Sequence, residues 1–182
     1  NGELTQTILT KCSISSDCTV IGTADLKYII LKMQNTLVAA DQHAVDERIR
    51  LEKSYETIDP NYKAIPSIFV SIEPFSTSYS ILNTLYERET LVKIWGFNYD
   101  CIQNGEGYEI HLKKVPVING EGLTKADFIE FLYSLASVSS TLPDSLCKPP
   151  AVHRILASNA CRQACKFGDY LSLIQAKELI SN

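Results

Sequence analysis

Asp41-Gln42-His43-Ala44-Val45-Asp46-Glu47-Arg48-Ile49-Arg50-Leu51-Glu52 is the stretch on which the fold turns. It follows the apolar run Thr36-Leu37-Val38-Ala39-Ala40, whose composition predicts a buried strand. From Gln42 to Glu56 the period changes: Ala44, Leu51 and Tyr55 recur on one side and Val45 and Ile49 on a second, at helical spacing. A strand therefore leads straight into a helix. Asp41 at the junction is a favoured N-cap, its carboxylate accepting from backbone N–H groups near His43 and Ala44. At about 100° per residue, His43 and Glu47 stand one turn apart and about 40° round the axis, so an imidazole and a carboxylate point the same way and can share a metal ion. The same spacing also fits an exposed helical pair. Glu52 lies about 180° from His43 and cannot join a first shell with it, which makes it a support or surface residue. Arg48 and Arg50 fit solvated positions or pairing with Asp46 and nearby carboxylates, a role towards phosphate being the alternative.

Upstream, Thr19 to Ala24 and Leu26 to Met33 are two more β-rich runs, split by Asp25 and, before the third run, by Gln34-Asn35. Together the three predict an antiparallel meander. Residues 1–17 are Ser/Thr-rich and predict a lead-in with one short strand. Downstream of a break at Asp59-Pro60-Asn61, Ile65 to Glu73 reads as a β-like run interrupted by Pro66 and bounded by Pro74. Ile81, Leu82, Leu85, Leu91 and Val92 predict one long helix from Ser78 to Ile94, stopping at Gly96. Phe97 to Gln103 and Tyr108 to Val115 flank Asn104-Gly105-Glu106-Gly107, a hairpin signal. Thr124 with Asp127 three residues on predicts a helix that ends by Ser139-Ser140, and Pro143 with Pro149-Pro150 marks a loop. Two helices close the chain, one from about Ala151 to Phe167 and one opening at Ser172, where Gln175 completes a capping box.

The composition fits this reading. At 182 residues, 45% hydrophobic and 21% charged, with eight Gly and seven Pro scattered, the chain is expected to be folded and soluble, not disordered, collagen-like or low-complexity. Its longest apolar stretches are strand-sized, so no membrane crossing is expected. A formal net charge of −4 argues against holding nucleic acid by bulk electrostatics, so any such contact must be local or shared with another chain. The six Cys show neither a CxxC pair nor the density of a secreted scaffold, and read as reduced thiols of an intracellular protein, mostly small buried hydrophobes. The opening Asn1-Gly2-Glu3 has no initiator Met and no signal core, as expected of a fragment of a larger protein.

A second cluster, Ser158-Asn159-Ala160-Cys161-Arg162-Gln163-Ala164-Cys165-Lys166-Phe167-Gly168-Asp169, falls in the first closing helix, where Cys161 and Cys165 would share a face. By themselves these two fit core thiols as readily as ligands. His111 in a strand-like run and His153 near a helix start have no convincing partner and read as structural.

Together the two clusters resemble a known family. Asp41-Gln42-His43-Ala44, two residues, Glu47, four residues, Glu52 matches the DQHA(x)2E(x)4E signature of the C-terminal endonuclease domain of the MutL mismatch-repair family, and Ala160-Cys161-Arg162 matches that family's ACR motif. The stretches after Glu47 and after Cys165 look most like the eukaryotic MutL homologue 3 branch. The resemblance implies a nuclear, metal-dependent endonuclease that nicks double-stranded DNA as half of a heterodimer with MutL homologue 1, in mismatch repair and meiotic crossover. It also implies work alongside MutS-family complexes, with a sliding clamp or exonuclease as further partners. His43, Glu47 and Cys161 fall on the family's metal-ligand positions, with Asp41 beside them as an essential acid and further ligand. Asp41 and Glu47 are thereby the catalytic pair, and Gln42, Glu52 and Arg162 are supports. Such a set favours zinc as a structural or regulatory ion, with manganese or magnesium recruited near Asp41 and Glu47 for cleavage. The family's third motif, CPHGRP, which supplies a further Cys and His, lies past Asn182, so the ligand set of this sequence is expected to be short of two members.

The expected architecture is α+β in two subdomains. Residues 1–58 and 151–182 form a dimerisation subdomain with a small antiparallel sheet, and 59–150 form an inserted external one. The apolar density of Tyr28 to Leu31 and Thr36 to Ala40, with Leu171, Leu173 and Leu179, predicts a partner over the meander and last helices. A non-catalytic dimerisation and recruitment module of the same family is the alternative function, and an unrelated zinc-stabilised domain a third.

Overall fold

Three strands, β1 (Cys18–Ala24), β2 (Tyr28–Met33) and β3 (Thr36–Asp41), pair antiparallel in that order, which is the predicted meander. They belong to a computed structural model that describes residues 18–58, 64–105, 107–138 and 143–181. Expectations for the lead-in, Cys12, the Asp59-Pro60-Asn61 break and the Ser139-Ser140 helix end lie outside those residues. Each hairpin turns through left-handed residues, Asp25 and Leu26 in the first and Gln34 in the second, which polar turn residues tolerate best. β2 pairs Ile29 with Ala40 and Leu31 with Val38, so alternate side chains share one face. There Val20, Ile29 and Leu31 are buried beneath α6 (Leu173–Ser181), which contributes Ala176, Leu179 and Ile180. The opposite face carries Tyr28, Ile30 and Leu37. Leu37 there is 67% exposed, and Ile21, the extra residue of a bulge in β1, is 50% exposed.

The chain divides into two compact units, Asn1–Glu52 with Ala160–Asn182, and Lys53–Asn159. The expected boundaries lay at residues 58 and 150. The units part instead inside the two helices α1 (Gln42–Thr57) and α5 (Pro150–Gln163), because Tyr55 stacks on His153 and Val152 and Leu156 are buried with the middle of the chain.

In the second unit the long strand β7 (Gly107–Ile118) carries the antiparallel sheet, pairing with β4 (Ser67–Phe69), β5 (Phe75–Thr77), β6 (Asn98–Asn104) and β8 (Glu121–Gly122). The hairpin closes where predicted, Asn104 opposite Gly107, with Gly105 at a φ of +63°. The β-like run of 65–73 shortens to β4. Helices α2 (Tyr79–Glu87), α3 (Glu89–Ile94) and α4 (Lys125–Ser137) cover an aromatic core in which Trp95, Phe97, Phe128 and Phe131 are buried, the Phe97 and Phe128 rings 4.8 Å apart. α4 starts on the predicted capping box of Thr124 and Asp127. The single helix expected over 78–94 breaks at Arg88, whose φ and ψ of −113° and 21° leave the helical region while its guanidinium pairs with Asp144. Gly96 ends α3 at a φ of +91°, and a Cβ there would meet the Ile65 carbonyl at 3.3 Å.

Only Cys147 of the described cysteines is buried; Cys18, Cys101, Cys161 and Cys165 are half-exposed, against the expectation of mostly core thiols. Among the described residues no helix is long and apolar enough to cross a membrane.

Candidate metal centre

The site starts at the strand–helix junction. Asp41 Oδ1 accepts from the backbone N–H of His43 at 3.0 Å and of Ala44 at 3.2 Å, which caps α1 as the sequence predicts. The cap fixes the first turn, and one turn later Glu47 Oε2 lies 3.4 Å from His43 Nε2. The last turn of α5 adds Cys161, with Sγ 3.7 Å from the same Nε2. One ligand atom from each of these three, His43, Glu47 and Cys161, lies within 4.8 Å of the others. Zinc bonds of about 2.0–2.3 Å at tetrahedral angles separate N from O by about 3.4 Å and N from S by about 3.6 Å. The separations from His43 Nε2, 3.4 Å and 3.7 Å, match those two edges, and the donor types are ones zinc takes.

The second imidazole nitrogen sets the tautomer. His43 Nδ1 is 2.8 Å from the Cys165 carbonyl oxygen, and a carbonyl only accepts, so Nδ1 carries a proton and Nε2 is the nitrogen left to act as a ligand. That carbonyl belongs to a turn, 164–169, held from several sides. Cys165 N–H donates to Asp46 Oδ2 at 2.8 Å, and Asp46 Oδ1 takes Arg50 at 2.8 Å. Gln42, fully buried, directs Nε2 at the carbonyls of Leu26, Lys166 and Asp169 at 3.0–3.1 Å. Its Oε1 has no donor among the described residues, and exchanging the two atoms would set the oxygen against three acceptors.

These bonds correct one expectation. α5 stops at Gln163, so Cys165 does not share a helical face with Cys161. Its N–H goes to Asp46 instead of continuing the helix, and Gly168, at a φ of +94°, donates to the Leu26 carbonyl. The Cys165 thiol donates to the Gln42 carbonyl at 3.2 Å, and burial first, then Asp46 and Asp169, raises its pKa above the ordinary thiol value. It is a hydrogen-bond donor outside the cluster.

The other sequence-predicted residues separate by role. Asp41 is engaged in the cap and is not one of the three converging ligands. Glu52 pairs with Arg48 at 2.6 Å, and Arg162 is exposed in the last turn of α5. His153, expected to have no partner, has one: its Nδ1 is 2.6 Å from Tyr55 Oη. Sequence reasoning passed over Asp46, reading it only as a partner for arginine; the signal for more was its position four residues after Gln42, a polar stripe on α1 beside that of His43 and Glu47. It also passed over Phe167, whose ring stands 5.7 Å, centroid to centroid, from that of His43.

The fold and these donors define a class, an α+β domain with a His/Glu/Cys cluster where a meander runs into a helix. Residues 21–171 match the MutL C terminal dimerisation domain, and the chain belongs to that family, as its two motifs imply. Over 175 residues it is 34% identical to the DNA mismatch repair protein MLH3 of Arabidopsis thaliana, covering 85% of this chain and 14% of that protein. It is 29% identical to the mismatch repair endonuclease pms1 of Dictyostelium discoideum, covering 90% of this chain and 16% of that protein. It is likewise 29% identical to the DNA mismatch repair protein MutL of Clostridium botulinum strain Okra, covering 91% and 24%. The chain thus spans less than a quarter of each of these relatives.

Proposed function

We propose that this chain carries the nicking site of a MutL-type heterodimer, a metal-dependent endonuclease that hydrolyses a phosphodiester of double-stranded DNA. The observation that carries the reading is the convergence of His43 Nε2, a Glu47 oxygen and Cys161 Sγ from helices far apart in sequence. These three would hold zinc, and Asp41 Oδ2 with Glu47 would offer the hard oxygens that manganese or magnesium prefers. A divalent ion bound there supplies polarisation of the phosphoryl oxygen and acidification of a water. The chain's own residues do the rest. Asp41 holds the first turn of α1 through Oδ1, and the Cys165 carbonyl keeps the proton on Nδ1 of His43.

The match to a dimerisation domain, with Leu37 and Ile21 exposed on the meander, supports a MutL-family partner chain, for which MutL homologue 1 is our candidate, and the likeness to a eukaryotic MLH3 favours a nuclear place in mismatch repair and meiotic recombination. Nicking of supercoiled DNA by the full-length protein with its partner, in manganese, tests the reading. Asp41→Asn preserves an N-cap and removes the charge, so it is expected to reduce nicking to background while melting temperature and heterodimer stay unchanged. Wild-type nicking by that variant would make Asp41 a helix cap only, whereas no nicking by the wild-type heterodimer would leave the non-catalytic dimerisation and recruitment module as the function.

A further inference from the structure

We propose that Phe167, with Lys27 and Lys166, is a stacking platform for a nucleobase next to the bond that is cut; this deepens the nuclease reading and rests on it. Phe167 is 57% exposed, yet its turn is fixed. Lys166 N–H donates to Asp169 Oδ2 at 2.7 Å, Asp169 N–H returns to the Lys166 carbonyl at 3.1 Å, and Gly168 N–H reaches the Leu26 carbonyl at 3.0 Å. Buried Gln42 ties the carbonyls on either side of the ring to the same amide. A large, mostly exposed apolar ring is thus carried on a hydrogen-bonded turn beside the imidazole of the cluster, the two ring centroids 5.7 Å apart.

Two ammonium groups accompany it. Lys27 Nζ stands over one face of the Phe167 ring, 4.8 Å from its centre, and Lys166 Nζ donates to the carbonyl of Cys161 at 2.7 Å. A base would stack on the ring face that Lys27 does not cover, or displace its ammonium towards an adjoining phosphate. This answers the problem set by the net charge of −4, which denies the chain a broad basic surface and leaves local contacts to bring a strand to the site. Stacking requires the base to leave the duplex stack, so the structure assigns as substrate a strand that is unpaired, mispaired or readily unstacked beside the scissile phosphodiester.

The test uses the full-length heterodimer and an oligonucleotide carrying 2-aminopurine at an unpaired position, read in EDTA so that no cleavage occurs. Wild type is expected to quench the fluorophore. Phe167→Ala should abolish the quench and lower nicking efficiency on supercoiled DNA about ten-fold. Phe167→Trp should restore both, Phe167→Leu neither, and zinc content should be the same in all four proteins. An undiminished quench in Phe167→Ala, or rescue by Leu, overturns the platform. So does loss of zinc in Phe167→Ala, which makes the ring a packing support for His43. Failure of the nuclease reading is separately visible, as absence of nicking by the wild-type heterodimer, while the fluorescence in EDTA still decides the platform.

Discussion

The two units of this chain are built on opposite plans. The second unit buries Trp95, Phe97, Phe128, Phe131, Leu82, Leu85 and Ile110 in one aromatic-rich core. Among the described residues the first buries Val20, Ile29, Leu31 and the small Ala160, Ala164 and Ala176, together with two polar side chains, Gln42 and Asp46. Both units leave large apolar side chains in solvent, Leu37, Phe167 and Ile174 in the first and Phe69, Tyr79 and Leu146 in the second, so the difference lies in what each buries. Apolar burial supplies most of the stability of a domain, whereas hydrogen bonds add little net stability but fix geometry. The contrast assigns stability to the second unit and positioning to the first, where the candidate metal centre lies.

The largest effects test that assignment at the site. His43→Ala removes the nitrogen shared by both short contacts of the cluster and is expected to abolish zinc binding and nicking together, with the melting of the second unit unchanged. Zinc content by mass spectrometry and the supercoiled-plasmid assay check this, and zinc retained at wild-type stoichiometry would falsify the ligand set. In the other unit Phe128→Ala empties a fully buried position in ring contact with Phe75, Phe97 and Tyr99. It should cost about 3–5 kcal/mol in urea unfolding. A cost below about 1 kcal/mol would show that the aromatic core does not carry the unit.

Next in size is Asp46→Ala. Asp46 touches neither His43 nor Cys161 by any bond described above; it holds the backbone whose carbonyl orients His43. Removing it should weaken zinc about 10–100-fold, with partial rescue by Asp46→Asn, which keeps an acceptor for the Cys165 N–H. Zinc affinity by competition with a chelator reads this directly. Equal affinity in all three proteins would mean that the turn is held without Asp46.

What the sequence made legible follows the same division between local and distant causes. The meander, the strand-to-helix junction and the Asn104-Gly105 hairpin were readable because each is written in adjacent residues. The break at Arg88 was not, since no Gly or Pro marks it and its partner Asp144 lies far along the chain. The end of α5 was misjudged for a like reason: Ala164, Cys165 and Lys166 are compatible with helix, but Asp46, 119 residues away, takes the Cys165 N–H. His43, Glu47 and Cys161 were named through the two motifs, while their approach to within 4.8 Å is a property of the fold.

The smallest effect sharpens the comparison most, because the same device occurs once in each unit. Thr124 caps α4 with Asp127 at N3, and Ser172 caps α6 with Gln175, Ser172 N–H donating to Gln175 Oε1 at 2.9 Å and Gln175 N–H to Ser172 Oγ at 3.3 Å. By local chemistry Thr124→Ala and Ser172→Ala should each cost about 1 kcal/mol. What surrounds the two helices differs. α4 is anchored by buried Phe128, Phe131, Leu132 and Leu135, so losing its cap leaves the helix in place. α6 has Ala176 as its one buried residue and, with Leu171, packs on the three-stranded sheet. Ser172→Ala is therefore expected to speed amide exchange through both α6 and β2, whereas Thr124→Ala should speed it only in the first turn of α4. Hydrogen exchange resolved by residue distinguishes these patterns, and equal, purely local changes in the two variants would show that the first unit is as firmly packed as the second.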